Sequence, residues 1–234
     1  MSTAPARVSA PLALLVLVVV PPLLVAIVGC RAIDFVGRDP GLITVEDEFD
    51  GAAVGERLWR WISSGPGPRL AGGRAILETR PGSTVFLEAR FVDQNEPGQG
   101  GVSYEERLDV RAAIRRDGRY LMLTEAWFGQ TLLWIQITDY GVHVTYPNER
   151  GERTGHEVRH AAGADGGHHT WSLIRGGRDL VLEIDGSPVW RGPARAPLSK
   201  LRLGDVAAGE EHAGIIELDG VRYERRPLRE DGRS

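Results

Sequence analysis

One cysteine, one lysine and two methionines are all that the 234 residues hold of those types. With Cys30 alone, no disulfide can close within the chain. Lys200 is the only lysine, so nearly all of the 28 basic side chains are arginine. A bias that general reflects coding composition, and it gives no reason to read individual arginines as phosphate ligands. The formal net charge is −4, which argues against a nucleic acid or an acidic lipid surface as partner. Also missing are a repeat of fixed length, a glycine-rich phosphate loop, a Gly-x-Ser-x-Gly elbow and, after the first thirty residues, any helical period. What remains is a chain with 42% hydrophobic and 26% charged residues, enough for one sizeable domain and too polar for a polytopic membrane protein.

The N-terminus reads as an address. A polar stretch with one positive charge, Arg7, precedes an apolar run from Leu12 to Val28, interrupted by Pro21 and Pro22. The run ends Ile27-Val28-Gly29-Cys30, which resembles a bacterial lipobox. That resemblance implies cleavage after Gly29 and a diacylglyceryl group on the Cys30 thiol. Each buried acyl CH₂ adds ~0.8 kcal/mol, so two or more chains hold a protein on a bilayer. An uncleaved signal anchor and plain secretion are the alternatives. All three place the rest of the chain outside the cytoplasm, in the cell envelope if lipidated. Arg31 lacks the acid that marks inner-membrane retention in that pattern, so either membrane stays open. The expected organisation is a signal peptide over 1–29, lipidated Cys30 and a tether over 30–43, a β-domain over 44–225 and a charged tail over 226–234.

From Thr44 onward the hydrophobic period is two. In STVFLEARFVD, Val85, Leu87, Ala89 and Phe91 share a face. In VSYEERLDVRAAI, Tyr104, Glu106, Leu108, Val110, Ala112 and Ile114 share one face, and Glu105, Arg107, Asp109, Arg111 and Ala113 the other. One side of that strand faces a core and the other faces water or a ligand. Turn signals stand at Asp117-Gly118, Gly176-Gly177, Asp185-Gly186 and Asp219-Gly220. Asp117-Gly118 predicts a two-residue hairpin that sets Ile114 opposite Leu121 and Ala112 opposite Leu123. The same register sets Glu125 opposite Val110, a mismatch. About a dozen short strands between glycine and aspartate turns predict an all-β, two-sheet antiparallel sandwich.

Two groups of segments together resemble the concanavalin A-like lectin/glucanase superfamily, which includes laminarinase-like hydrolases and laminin-G-like modules. One is DEFDGAAVGERLWRW with GGRAILET; the other is HTWSLIRGGRDLVLEIDG with LRLGD and LDGVRYE. The resemblance covers roughly residues 46–225 and implies a jelly roll whose ligands lie on the concave sheet or its rim. Phe49, Trp59, Trp61, Trp171 and Trp190 suit core positions better than sugar platforms.

Retaining glucanases of this superfamily carry Glu-x-Asp-x-Glu on one strand. Alternate residues share a face, so all three acids point into the cleft. Glu183-Ile184-Asp185 and Glu217-Leu218-Asp219 each run straight into a glycine with no third acid in register, and Glu46, Glu48 and Asp50 fall on the opening strand. The segment that corresponds to the catalytic strand is LLWIQITDYG, where the acid positions become Trp134, Gln136 and Thr138. An indole, an amide and a hydroxyl cannot protonate a leaving oxygen or form a glycosyl ester. They can stack on a sugar and bond its hydroxyls. Glu125 and Asp139 are the nearest spare carboxylates.

Trp127, near an expected hairpin tip, and Arg107 and Arg111, in the mixed-charge row, complete the candidate ligand contacts. His156, His160, His168 and His169 lie in a polar loop with no cysteine to join them, so no metal site is expected. Asp93, Asn95 and Glu96 offer oxygen ligands for Ca²⁺ but fall short of a full set, so no cofactor is expected. The reading is an exported, membrane-anchored lipoprotein with a noncatalytic domain that contacts a glycan or polysaccharide. The alternatives are a divergent glycoside hydrolase using Glu125 or Asp139, and a structural or protein-interaction domain of the cell envelope.

Overall fold

The computed structural model describes residues 33–34, 43–50, 58–92, 104–147, 150–163, 165–194 and 196–227. Cys30, the segment before it and the Asp93–Asn95–Glu96 loop lie outside these residues. Among the described residues the only helical element is a single 3₁₀ turn, Ala161–Gly163. The remainder is strand and turn, as the period of two requires.

Two eight-stranded sheets pack face to face. Sheet I runs β11 (Arg153–Val158), β10 (Gly141–Pro147), β9 (Thr131–Thr138), β8 (Leu121–Phe128), β15 (Leu198–Asp205), β6 (Val85–Val92), with β3 (Arg60–Ser63) and β1 (Ile33–Asp34) along the far side of β6. Sheet II runs β14 (Ser187–Pro193), β13 (Asp179–Ile184), β12 (His168–Gly176), β7 (Tyr104–Arg116), β16 (Gly214–Pro227), β5 (Ala75–Thr79), β4 (Arg69–Leu70), and β2 (Ile43–Asp47) also pairs with β16. These strand pairings are antiparallel except that of β1 with β6. The expected tether therefore contributes a short strand, and β16 runs into the expected tail.

The inner faces are those the alternation marks. Val85, Leu87 and Ala89 of β6, Leu133, Ile135 and Ile137 of β9, and Leu201 and Leu203 of β15 meet Leu108, Val110, Ala112 and Ile114 of β7 and Ile216 and Leu218 of β16. Each large aliphatic side chain so buried contributes ~1.5–3 kcal/mol. Phe49, Trp59, Trp171 and Trp190 are buried in this core. Trp61 is not: it is 43% exposed on the short edge strand β3, where no second sheet covers it.

A buried polar cluster joins the two layers. Glu106 of β7 accepts hydrogen bonds from Arg175 Nε of β12, from the Tyr223 hydroxyl of β16 (2.7 Å) and from the Leu198 amide of β15 (3.2 Å). Burial, with the Glu106 charge beside it, holds the Tyr223 phenol far above its ordinary pKa.

Two turn expectations are corrected. Asp117-Gly118 does not make a hairpin: β7 lies in sheet II and β8 in sheet I, so the dipeptide turns the chain from one layer to the other. The corner is fastened to the loop before β16, where the Asp117 and Gly118 amides donate to Ala213 O at 3.0 Å and the Arg119 amide to Glu211 O at 2.9 Å. A Cβ on Gly118 would stand 2.4 Å from Glu211 O, so close approach rather than a hairpin explains the glycine. The mismatch of Glu125 with Val110 disappears, because those residues never pair. Asp219-Gly220 lies inside β16, where the register shifts at a bulge. By contrast Asp185-Gly186 does form the expected two-residue turn, with φ of 51° and 76°, as a type I′ hairpin demands.

Candidate functional site on the outer face of sheet I

Since Leu87, Ala89, Leu201, Leu203, Ala126, Leu133 and Ile135 point inward, their neighbours point out. Strand register then lines up Glu88 of β6, Arg202 of β15, Glu125 of β8 and Trp134 of β9 as successive cross-strand partners. Beside them run Arg90, Lys200 and Trp127, again in cross-strand register.

Arg202 organises the row. Its Nε donates to Glu88 at 2.8 Å and its Nη1 to Glu125 at 3.1 Å. Its guanidinium lies 4.9 Å from the Phe86 ring and 5.0 Å from the Trp127 ring. Glu88 also accepts from Arg90 Nε at 3.1 Å. Both carboxylates are almost wholly buried, 3% and 8% exposed at the side chain. Burial would raise both pKa values, and the outcome differs. At Glu88 the hydrogen bonds and charges of Arg202 and Arg90 outweigh burial and hold the carboxyl below its ordinary range. At Glu125 burial prevails over Arg202 and pushes it up. The Trp134 indole N–H faces Glu125 and tempers that rise without reaching good hydrogen-bond geometry, so this donor is buried and unsatisfied.

The sequence candidates separate into groups. Trp127, Trp134 and Gln136 come together on this face with Glu125; Gln136 stands opposite Met122 and His143. Trp127 is half-buried under Lys200 rather than free at a tip. Thr138 is buried and serves the β9–β10 turn, accepting from the Tyr140 amide at 3.2 Å. Asp139 sits in that turn, exposed and paired with Arg116 at 2.7 Å. It is five residues along β9 from Trp134, ~17 Å at strand rise, and so cannot act with Glu125. Arg107 and Arg111 are on the outer face of sheet II, across the sandwich. There Arg107 pairs with Asp109 at 2.9 Å, and Arg111 approaches Asp219 at 3.7 Å, so neither joins the tryptophans. Glu88 and Arg202 are central to the site and were not among the candidates.

Among His156, His160, His168 and His169, the rings of His160 and His169 lie together, centres 6.5 Å apart. Among the described residues no group of three or more His, Cys, Asp and Glu is arranged to hold a metal. His160 accepts from the Ala162 amide at the 3₁₀ turn, and His156 lies near Trp190. His169 is clamped between Asp185 (2.6 Å) and Asp165 (3.0 Å). Carboxylates only accept, so both ring nitrogens must carry protons to make these bonds. Partial burial opposes that charge, but the two aspartates outweigh it and raise the His169 pKa. This clamp fastens the start of β12 to the β13–β14 turn.

No protein-family profile matches the sequence, and no curated protein matches it. Solved structures do. SCLam, a non-specific endo-β-1,3(4)-glucanase from family GH16, superposes with a TM-score of 0.56 at 17% identity, covering 80% of this chain and 92% of that one. The catalytic domain of an endo-1,3-β-glucanase (laminarinase) from Thermotoga petrophila RKU-1 gives 0.57 at 12% identity, covering 79% and 98%. The receptor binding domain of botulinum neurotoxin D gives 0.54 at 5% identity, covering 79% of this chain and 49% of that one. At these identities the likeness shows the fold alone, which is the concanavalin A-like jelly roll of the laminarinase-type glucanases. The matched proteins include hydrolases and a receptor-binding domain, so the fold does not choose between chemistry and recognition.

Proposed function

We propose that the chain is a membrane-tethered lipoprotein of the cell envelope whose sheet I binds a glycan without cleaving it. The observation that carries this reading is Trp134. It stands on the outer face of β9, where the alignment with the glucanase strand puts an acid, and it supplies an indole ring instead, its N–H buried toward Glu125. Indoles stack on the C–H faces of pyranoses. The carboxylates nearby are held by arginine rather than presented to a glycosidic oxygen.

The test is binding of the full chain, in detergent, to a panel of polysaccharides, with reducing-sugar release measured in parallel. Trp134→Ala is expected to weaken retention at least ~tenfold, the loss of one stacking contact of about 1.4 kcal/mol. Undiminished binding by that variant would remove the proposal. One observation favours a hydrolase as second reading: Glu88 and Glu125 are shifted in opposite directions, as an acid and its anionic partner must be. Sugar release by the wild type that is lost in Glu125→Gln would put this reading in place of the first.

The anchor has its own check. Cys30→Ala is expected to move the protein from the membrane pellet to the soluble fraction and to remove the mass of the acyl chains. An unchanged pellet fraction would mean that the apolar run itself holds the chain in the membrane.

A further inference from the structure

The two tryptophans of sheet I do not present bare rings. Lys200 Nζ lies 3.5 Å from the centre of the Trp127 ring, and the Arg153 guanidinium carbon lies 4.8 Å from that of Trp134. Arg153 stands on β11 opposite Pro147, and Lys200 stands opposite Arg90 and Trp127. Among the described residues neither cation is within ion-pair distance of a carboxylate. The acids that share the face are already engaged: Glu88 with Arg202 and Arg90, Glu125 with Arg202, and Glu157 at the rim with His143. Partial burial and the neighbouring Arg202 and Arg90 push the Lys200 ammonium below its usual range, against the pull of Glu88 and Glu125. A chain with a net charge of −4 thus carries a local excess of positive charge over its aromatic platforms.

We propose that the ligand of this face is an acidic polysaccharide, whose carboxylate or sulfate groups draw Lys200 and Arg153 off Trp127 and Trp134 and uncover the rings for stacking. This rests on the glycan-binding reading of sheet I and names its ligand class. The selectivity follows from what each ligand returns. A neutral sugar has to displace a cation from the indole and returns only uncharged hydroxyl acceptors. An acidic sugar displaces the same cation and pairs with it through a charge-assisted hydrogen bond. A nucleic acid is the less suitable polyanion. Its charges come every ~1.7 Å of duplex and it needs many phosphate contacts, whereas the ring-capping cations here are Lys200 and Arg153 on a net-negative chain.

The test uses the full chain in detergent and affinity electrophoresis through gels containing polygalacturonate, dextran sulfate or laminarin, with an oligo-dT arm. Polygalacturonate or dextran sulfate is expected to retard the protein roughly tenfold more strongly than neutral laminarin, and added salt to weaken the effect. Lys200→Met and Arg153→Met are each expected to lose most of the acidic preference while binding laminarin as well as, or better than, the wild type. Arg191→Gln, at the edge of sheet II, is expected to bind like the wild type, and all variants to share its urea midpoint. Laminarin bound as tightly as the acidic polymers would overturn the acidic class and leave the glycan reading standing. No retardation by any polysaccharide would remove both. Stronger binding to oligo-dT, acidic binding that survives both methionine variants, or an equal loss in Arg191→Gln would each overturn the inference.

Discussion

Replacing Arg202 with methionine is expected to destabilise the protein by about 3–5 kcal/mol at neutral pH, the range for removing one partner of a buried ion pair. The value belongs at the upper end of what one residue does, because a single guanidinium serves two buried carboxylates. Glu88 keeps Arg90, but Glu125 has no second arginine among its bonded partners. The loss should depend on pH in a set direction. Without Arg202, burial of Glu125 is opposed only by Lys200 and Trp134 and burial of Glu88 only by Arg90, so both folded pKa values move up from where they stand in the wild type. A group with a raised folded pKa contributes stability that is present below its unfolded pKa and lost as pH rises through the folded value. The variant's deficit is therefore largest at pH 7 and shrinks as pH falls through the carboxylate range near ~4. Urea unfolding at pH 7 and pH 4.5 measures it. An equal deficit at the two pH values would show that the carboxylates do not depend on this arginine.

The second large effect is expected at Glu106. Glu106→Gln keeps the shape and, with its one carbonyl oxygen on the Leu198 side, an acceptor for that amide; its NH2 then faces the Tyr223 hydroxyl, which can turn to accept, while Arg175, 8% exposed at the side chain, is left without its counter-ion. A cost of about 3–5 kcal/mol follows, read as a lower denaturation midpoint with the slope unchanged. The double variant Glu106→Gln/Arg175→Met should recover most of it, because the uncompensated charge is then gone. Additive losses in the double variant would contradict the ion-pair account. Because Leu198 opens the strand that carries Lys200 and Arg202, slackening here should also reach the outer face of sheet I.

The alternation of STVFLEARFVD and VSYEERLDVRAAI shows in sequence which side chains face the core, because burial imposes a period of two on any half-covered strand. Pairing partners were less legible. Asp117-Gly118 has the composition of a hairpin, yet local turn chemistry is silent on which sheet the following strand joins. Only the misfit of Glu125 against Val110 signalled that the two strands belong to different layers. Trp134 and Gln136 could be picked out by analogy with the glucanase strand, and Trp127 by its place near an expected hairpin tip. Glu88 and Arg202 could not, since they meet across 114 residues of chain through register that no short-range pattern encodes. The same blindness put Arg107 and Arg111 with the tryptophans, although an odd-even count places them only on an outer face and cannot say whose.

The last of the described strands lies in the middle of its sheet. β16 pairs with β7 along one side and with β5 and β2 along the other, so residues 221–225 close against 43–47. The pairs β8 with β9 and β12 with β13 join neighbours in sequence, but β2 and β5 pair with a strand far later in the chain. Completing the sheet therefore carries the loop-closure entropy of long-range pairing. Until it happens, the apolar edges of half a sandwich stand open to any other chain nearby.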